Sequence, residues 1–239
     1  MTIKECHYDF KLKMDRIDTL SKQDFNDAEI DWLIYEASLV FLKQRTSYFN
    51  KRREGFEASQ KRIDDLSSLV IKYPLQPDVV PISLDAVYEV KLATLAYPYY
   101  QLISGSVNAT VGNCDKRIKL RAIQHDDLQD AIEDPFNTSS SEFILFNFGR
   151  DNTTPESSSL YLYADFIINS VRLEYIKRPN RVFLGTYTFT DGISYPPTDL
   201  EFPEHTHTEI VDIATQIASL NIENPEYLQL KQAKVAIQE

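Results

Sequence analysis

Residues 26–46 have the sequence NDAEIDWLIYEASLVFLKQRT and predict the helix on which the fold depends. Asn26 and Glu29 have the spacing of a capping box, with Asn in place of Ser or Thr, which marks the start of a helix. The apolar residues after it recur every three or four positions, as on one face of an α-helix: Ile30, Leu33, Ile34, Ala37 and Phe41. The helix is therefore expected to run to about Thr46.

The same helix has a second apolar face, formed by Trp32, Tyr35, Leu39 and Leu42. Two explanations are open. Either the helix is the central one of a bundle within the chain, or its second face contacts a neighbouring subunit, because aromatic residues are enriched at the cores of protein interfaces. These four residues are therefore the candidate subunit-interface residues.

The flanking segments extend the helical region. Residues 8–15 alternate between apolar and charged side chains, which predicts an N-terminal strand or extended arm. Residues 55–70 predict a second helix that completes a helical hairpin. Three prolines within residues 74–81 then end the helical pattern.

The middle of the chain is strand-like. Its candidate strands are rich in β-branched and aromatic residues and are separated by Gly, Asn, Asp, Ser and Pro clusters. They are residues 103–111, 116–123, 143–148, 159–165, 170–177 and 181–188. A short helix is predicted between the second and third of them, at residues 124–133.

The C-terminal part returns to helix. Thr206 and Glu209 have the spacing of a capping box, and Asn224 followed by Pro225 supplies the start of a last helix that ends near Gln238. The first of these helices has one apolar face, made of Ile210, Ile213, Ala214, Ile217 and Leu220.

These elements predict an α+β fold, in which an N-terminal helical hairpin and C-terminal helices pack with a mainly antiparallel, β-rich middle region. The predicted boundaries give residues 1–72 for the arm and hairpin, 73–200 for the β-rich region and 201–239 for the C-terminal helices. We expect both ends to form one compact helical part beside a β domain.

The charge of the chain is uneven. Its net charge is -11, which disfavours broad coating of nucleic acid, and residues 73–239 carry all of it, with 12 Lys and Arg against 23 Asp and Glu. Residues 43–62 hold the main basic concentration, including Lys51, Arg52 and Arg53. This stretch contacts either DNA or an acidic partner, or it is a solvated helical surface balanced by neighbouring acids.

The chain lacks local catalytic motifs. Its six glycines form no phosphate-binding loop, and no hydrolase or zinc-protease motif is present, so we expect no enzyme activity, cofactor or metal. His205 and His207 fall at a helix start without a third ligand nearby, which weighs against zinc. The run from His125 to Asp127 suits either acid/base chemistry or a helix start, and we favour the helix start.

Targeting signals are also missing. No apolar run approaches the length of a membrane span, and Met1 to Phe10 has no signal-peptide character. Cys6 and Cys114 lie far apart without metal-ligand spacing, so reduced thiols in a cytosolic setting are expected.

The order of several stretches resembles the head-to-tail connector, or ring, proteins of tailed bacteriophages, most closely those of the crAss-like phages. The stretches are AEIDWLIYEA at 28–37 running into FLKQR at 41–45, REGFEASQKRIDDL at 53–66, VRLEYIKRP at 171–179, and FPEHTHTEIVDIA at 202–214 followed by ENPEY at 223–227. None of them is a catalytic signature, and the resemblance transfers no catalytic or metal residue.

The resemblance implies a virion protein, assembled in the host bacterial cytoplasm, that forms a ring of about twelve copies beneath the portal. Its partners would be the portal protein, neighbouring tail or ring proteins and passing DNA bound without sequence specificity. The C-terminal helices would dock on an adjoining ring, through Ile210, Ile213, Ile217, Tyr227 and Leu230. The acidic β-rich part would repel the DNA and keep it mobile.

An alternative function uses the aromatic strands of the middle region. Tyr161, Tyr163, Tyr187 and Phe189 would then form the ligand surface of a β-rich tail module that binds carbohydrate or the host.

Overall fold

The computed structural model describes residues 1–17, 25–46, 61, 63–75, 80–81, 87–112, 114–150, 158–185, 187–188 and 192–221. The chain divides into two compact units. The helical unit comprises residues 1–69 and 179–239, and the sheet unit comprises residues 70–178. Both helices and a large, mainly antiparallel sheet are present, so the predicted α+β fold class is confirmed.

The described elements are as follows. The α-helices are α1 (Ile3–Ile17), α2 (Asp27–Thr46), α3 (Leu128–Glu133) and α4 (His207–Asn221). The strands are β1 (Val70–Leu75), β2 (Val80–Pro81), β3 (Val87–Lys91), β4 (Tyr99–Val111), β5 (Cys114–Ala122), β6 (Phe143–Arg150), β7 (Ser158–Tyr163) and β8 (Ile167–Lys177). Short 3-10 turns lie at Ser67–Leu69, Leu92–Thr94 and Glu204–Thr206.

The first element is a helix, so the prediction of a strand over residues 8–15 is wrong. The buried side chains of α1 lie three or four positions apart, which is the helical period: Ile3, Cys6, Phe10 and Met14. Tyr8 is 71% exposed although it is only two positions from the fully buried Phe10. A strand would have placed both rings on one face.

Capping boxes begin both N-terminal helices. At α1, the Thr2 backbone N–H donates to Glu5 Oε2 at 2.8 Å, and the Glu5 N–H donates to Thr2 Oγ1 at 3.4 Å. At α2, the Asn26 N–H donates to Glu29 Oε2 at 3.0 Å, as the sequence predicted. Each Glu therefore satisfies a backbone donor that the first helical turn leaves unpaired.

The core of the helical unit lies where α4 packs against α1 and α2. Ile34 and Phe41 of α2 and Ile210 and Ala214 of α4 are fully buried. The Phe41 ring meets the Phe202 ring edge to face, with 5.5 Å between centroids. The predicted helices in residues 26–46 and from His207 onward are confirmed.

The second predicted helix, over residues 55–70, falls largely outside the described residues. Residues 63–66 are helical, the 3-10 turn follows, and Val70 already begins β1. The predicted last helix, from Asn224 to Gln238, also lies outside the described residues.

Residues 179–200 belong to the helical unit and not, as predicted, to the β-rich region. The predicted strand over residues 181–188 is wrong for the residues of this segment that the structure describes, which form isolated bridges, Phe183 with Thr198 and Thr188 with Ser194, and no ladder of hydrogen bonds.

The sheet has the strand order β1-β8-β4-β5-β6-β7-β3-β2. All neighbouring pairs are antiparallel except β5 and β6, which are parallel and are joined by the crossover at residues 123–142 that contains α3. One face packs into a core that includes Val107, Ile118 and Leu173. The sequence predicted five of these strands within a few residues and missed β1, β2 and β3.

Prolines occupy the two outer strands of the sheet. Pro74 lies in β1 and Pro81 in β2, at the ends of the strand order. Proline cannot donate to a ladder and is therefore confined to such edges. The sequence predicted from these prolines only that the helical pattern ends there, whereas Pro74 and Pro81 lie in the two edge strands of the sheet unit.

The helical nature of α1 predicts different costs for two neighbouring aromatic residues. Phe10→Ala should reduce the free energy of unfolding by about 3–5 kcal/mol because it empties a buried site. Tyr8→Ala should change it by no more than about 0.5 kcal/mol because its ring is exposed. Unfolding in urea, followed by the fluorescence of Trp32, the single tryptophan, measures both. Equal losses in the two variants would support a strand instead.

Candidate interaction surfaces

An aromatic surface surrounds the exposed Trp32 of α2. We call it the Trp32 patch, and it is formed by Trp32, Tyr35, Arg181 and Phe183. Trp32 is 50% exposed. The Arg181 guanidinium lies 5.4 Å from the Trp32 ring centroid and 5.7 Å from that of Tyr35, within the range of cation–π contacts. Phe183 stacks on Tyr195 with 4.5 Å between centroids.

The depression within this patch is small. It has a volume of about 10 Å³, whereas small-molecule sites have volumes of about 300–1,000 Å³. The patch therefore suits contact with a protein surface better than capture of a ligand.

A buried carboxylate holds the patch in place from beneath. Asp31 is 3% exposed, and its Oδ1 lies 2.7 Å from Nε2 of the buried His7. Its Oδ2 accepts hydrogen bonds from the Leu184 backbone N–H at 2.9 Å and from the Tyr187 hydroxyl at 2.6 Å. Because a carboxylate only accepts, His7 Nε2 carries the proton. Asp31 thus joins α1, α2 and the segment that supplies Arg181 and Phe183.

Tyr187 acts as a donor in this network. Burial, and then the hydrogen bond to the Asp31 carboxylate, raise the pKa of its hydroxyl well above the ordinary value. The hydroxyl therefore stays protonated and continues to donate to Asp31 at neutral pH.

A second buried carboxylate lies at the other end of α2. Asp65 is fully buried, and it accepts from Arg45 Nε at 2.9 Å and lies 2.8 Å from His205 Nε2. Arg45 also donates to Glu209 Oε1 at 2.7 Å. Arg45 thus links α2 to the start of α4, and Glu209 serves this ion pair.

His205 and His207 have separate structural roles. His205 pairs with Asp65, whereas His207 places its ring nitrogens 3.0 Å from the Met1 carbonyl and 2.8 Å from the Phe202 carbonyl. Within the described part of the chain, no group of three or more His, Cys, Asp or Glu side chains is arranged to hold a metal ion.

The sheet unit has a basic strip on the face opposite its core. Along β5 the side chains of Arg117, Lys119 and Arg121 alternate with the inward Ile118 and are exposed. Exposed Arg172 of β8 belongs to the same face. We define these four cations as the basic strip.

Small polar residues of β4 lie between these cations. Ser106 pairs with Lys119 on one side and with Arg172 on the other, and Asn108 pairs with Arg117. Arg117 Nε donates to Ser106 Oγ at 3.0 Å. The strip is therefore continuous across three strands.

The crossover between β5 and β6 has the opposite charge. Residues 123–142, which we call the acidic crossover, contain six acidic residues and neither Lys nor Arg. The acidic residues are Asp126, Asp127, Asp130, Glu133, Asp134 and Glu142, and all but the half-buried Asp134 are exposed. Phe136 in the same segment is 91% exposed, and Ile132 is 42% exposed.

The acidic crossover lies on the same face of the sheet as the basic strip. Leu145 of β6 pairs with Arg121, and its backbone N–H donates to Ser139 Oγ of the crossover at 2.9 Å. A cleft of about 450 Å³, lined by Arg121, Asp127 and Asp130, separates the two features. The basic strip and the acidic crossover are therefore neighbours on this face of the sheet.

His125 fixes the crossover to the sheet. Its Nε2 lies 2.7 Å from the Phe148 carbonyl oxygen, so this nitrogen is the donor. The other ring nitrogen then accepts from Asn147 Nδ2 at 3.2 Å. Both nitrogens are thus occupied by structural hydrogen bonds, and Asp126 and Asp127 point into the exposed turn before α3.

The family comparison covers nearly the whole chain. Residues 1–225 match the family model described as phage tail ring protein 3/4, a family of the crAss-like phages. The chain belongs to this ring-protein family. The resemblance inferred from the sequence is thereby confirmed, and the ring protein is a structural component of the virion. No curated protein matches it. Among the described residues, no helix combines the length and apolar composition needed to cross a membrane.

The predicted interface residues of the ring protein are only partly on its surface. Trp32 is exposed, Leu39 is half-buried, Tyr35 is 7% exposed and Leu42 is fully buried. The second apolar face of α2 is thus mainly covered within the chain, which favours the explanation of a central bundle helix. Trp32 keeps the surface role, and Arg181, which the sequence did not single out, joins it.

The predicted docking residues are also partly internal. Ile210 is fully buried and Ile217 is 6% exposed, so both belong to the core of the helical unit, and Ile213 is half-buried. Tyr227 and Leu230 lie outside the described residues, as do Lys51, Arg52 and Arg53. The sequence overlooked the basic strip, although the alternation in residues 114–122 was a visible signal.

The described tyrosines of the predicted ligand surface donate hydrogen bonds within the chain. Tyr161 donates to the Arg150 carbonyl at 2.9 Å, and Tyr163 donates to Asn147 Oδ1 at 3.2 Å. Tyr187 belongs to the helical unit and donates to Asp31. Phe189 lies outside the described residues. The hydroxyl groups of the three described tyrosines are therefore engaged by partners within the chain.

The Asp31 network predicts a graded loss of stability. Asp31→Ala leaves three donors without an acceptor and should reduce the free energy of unfolding by about 3 kcal/mol. The matched variant Tyr187→Phe removes one donor and leaves the other two paired, so it should cost about 1 kcal/mol. Urea titrations followed by Trp32 fluorescence compare them. Equal losses would show that Asp31 does not connect the three segments.

The two cysteines of the ring protein are predicted to react differently. Burial raises the pKa of the Cys6 thiol to about 11, whereas Cys114 is exposed beside the β4–β5 turn. Ellman's reagent should therefore detect one fast thiol in the native protein and two in denaturant. In Cys114→Ser the fast thiol should be absent. A second fast native thiol would place Cys6 at the surface.

Proposed function

We propose that the chain forms a closed ring of identical copies in the portal-to-tail connector and surrounds the DNA channel. The ring-protein family supports the ring, and the observation that supports a protein contact is the Trp32 patch. Closed rings need heterologous contacts, in which two different surfaces of each copy meet. The portal protein and the adjoining tail proteins are the proposed partners, and assembly takes place in the bacterial cytoplasm.

The composition of the Trp32 patch supports this role. Trp, Tyr and Arg dominate the binding energy of protein interfaces, and the patch combines all three. Arg181 lies over both aromatic rings, and Asp31 fixes the segment that carries it. A surface that is ordered before binding loses less conformational entropy when a partner docks. The patch is therefore suited to act as a contact in the ring.

The charge of the ring protein supports a non-specific relation with DNA. At a net charge of -11 the chain as a whole repels phosphates, so we propose that DNA slides past the ring without being held. The His125, His205 and His207 rings are engaged by structural partners. We therefore propose a structural role without catalysis or cofactor.

A substitution in the Trp32 patch tests the proposal. Trp32→Ala should weaken ring assembly by at least about 2 kcal/mol, roughly thirtyfold in the association constant, because a central aromatic anchor is lost. Tyr8→Ala is the matched control, since it also removes an exposed ring from the helical unit. Sedimentation velocity and negative-stain electron microscopy, with and without the portal protein, would measure assembly.

Folding is checked separately by circular dichroism, so that loss of assembly is not mistaken for unfolding. A wild-type chain that stays monomeric and binds neither the portal protein nor any tail protein would overturn the proposal. A loss in Tyr8→Ala as large as that in Trp32→Ala would remove the Trp32 patch from it.

A further inference from the structure

The charged side chains of the basic strip and of the acidic crossover make no ion pairs among the described residues. Among the described residues, none of the cations of the basic strip makes an ion pair, and none of the six acidic side chains of the acidic crossover does either. The acidic residues on the basic half have other partners: Glu174 pairs with Lys72 at 3.6 Å, and Asp115 accepts from Thr110 at 2.6 Å. The opposite charges are therefore present on one face and are not paired with each other.

We propose that the basic strip of one copy docks on the acidic crossover of the next copy, so that the sheet units form a head-to-tail contact around the ring. This inference rests on the proposed ring and adds the surfaces that meet in it. The occupant of the strip is a second copy of this chain, because the complementary charge is present on the chain itself. The contact is heterologous, as ring closure requires.

The shapes of the two surfaces agree with this pairing. The basic strip lies on the sheet itself, where small Ser106 and Asn108 of β4 separate the cations of β5 and β8. The acidic crossover stands above β6 and carries Phe136, which is 91% exposed, and Ile132. Charged residues give an interface its orientation and specificity, and a central aromatic residue gives it affinity. The acidic crossover, with Phe136 as its apolar contact, is thus complementary to the basic strip in both charge and shape.

DNA is the competing occupant of the basic strip. Arg, Lys, Ser and Asn side chains are the usual contacts to phosphates. The acidic crossover beside the strip, however, would repel the same DNA, and the chain as a whole is acidic. In the ring one neighbouring copy covers the basic strip and the other neighbour covers the acidic crossover, whereas DNA covers only the strip.

Charge reversal with rescue tests the inference on the full chain. The strip variant carries Lys119→Glu and Arg172→Glu, the two cations that flank Ser106. The crossover variant carries Asp126→Lys and Glu133→Lys, both exposed positions. Each variant alone places like charges together and should weaken self-association at least about tenfold. A chain with all four substitutions, or a one-to-one mixture of the two variants, should recover part of the lost association, because the introduced Glu side chains of one copy then meet the introduced Lys side chains of the next.

The matched control for the strip variant is Lys4→Glu with Lys61→Glu, which lowers the net charge by the same amount at exposed positions of the helical unit. It should assemble like the wild type. Mass photometry and sedimentation velocity at several salt concentrations measure assembly, and the contact should weaken as salt rises. Circular dichroism verifies that each variant is folded.

The arms of the experiment separate this inference from the proposed function. A wild-type chain that never self-associates overturns the ring and the sheet contact together. If the wild type forms rings and the strip variant forms them equally well, or if the combined chain is not rescued, only the contact is overturned. If the strip variant keeps its rings but loses affinity for a duplex DNA probe relative to the control, the strip faces DNA and the inference is wrong.

Discussion

The helical unit depends on the buried carboxylate of Asp31. It joins three segments of the chain: α2, which carries Asp31, α1, which supplies His7, and the segment that supplies both the Leu184 backbone N–H and the Tyr187 hydroxyl. A buried carboxylate without these donors would carry a large desolvation cost, so the three segments must reach it together. Asp31 itself is on α2, which makes this helix the centre of the unit.

This constraint explains how a unit made from both ends of the chain can contain the sheet unit as an insertion. The sheet unit begins at Val70 in β1 and ends just after β8, and these two strands are direct neighbours, with Val70 opposite Ile176. An inserted domain is tolerated when its two ends lie close together. The β1–β8 pair provides that closeness. The helical unit can then close through Asp31 and through the Arg45–Asp65 pair without strain from the insertion.

The parts that were predictable from sequence are those in which local pattern and tertiary burial agree. The helix that follows Asn26 and the one from His207 both have apolar residues that recur at the helical period, and a capping box marks the start of the first, whereas Glu209 of the second pairs with Arg45. The N-terminal segment was mispredicted because Tyr8, Phe10, Leu12 and Met14 fit a strand period, whereas only Phe10 and Met14 are buried and fit a helix. The local pattern allows both periods, and contact of α1 with α4 decides between them.

The prediction of a strand over residues 181–188 failed for a related reason. Their aromatic, alternating composition predicted a strand, yet a strand needs a continuous partner, and among the described residues of the segment only Phe183 and Thr188 form bridges. The aromatic residues serve the Trp32 patch and the Asp31 network instead. The β-propensity of residues 181–188 therefore drew attention to a segment whose aromatic residues have structural roles, but it predicted the wrong secondary structure for them.

The basic strip and the acidic crossover could be recognised as neighbouring surfaces only from the structure. The cations of β5 and Arg172 are far apart in sequence, and only the strand register shows that Ser106 lies between Lys119 and Arg172. Counting charges along the chain shows that residues 73–239 are acidic, which hides a local basic surface. The composition therefore predicts the acidic net charge of residues 73–239 correctly, but it does not reveal the basic strip within them.

A net charge of -11 on every copy does not prevent the copies from associating. At physiological ionic strength charges are screened over about 8 Å, so the repulsion between whole copies is weak, whereas charges that meet at a contact interact at shorter range. Local complementarity can therefore outweigh net repulsion. The same screening limits the repulsion of DNA to surfaces that it approaches closely, so the sign of the face towards the channel matters more than the sign of the chain. Pairing of the basic strip with a neighbouring copy would remove the main described basic surface of the sheet unit from DNA, and it would leave a ring that guides the duplex without holding it.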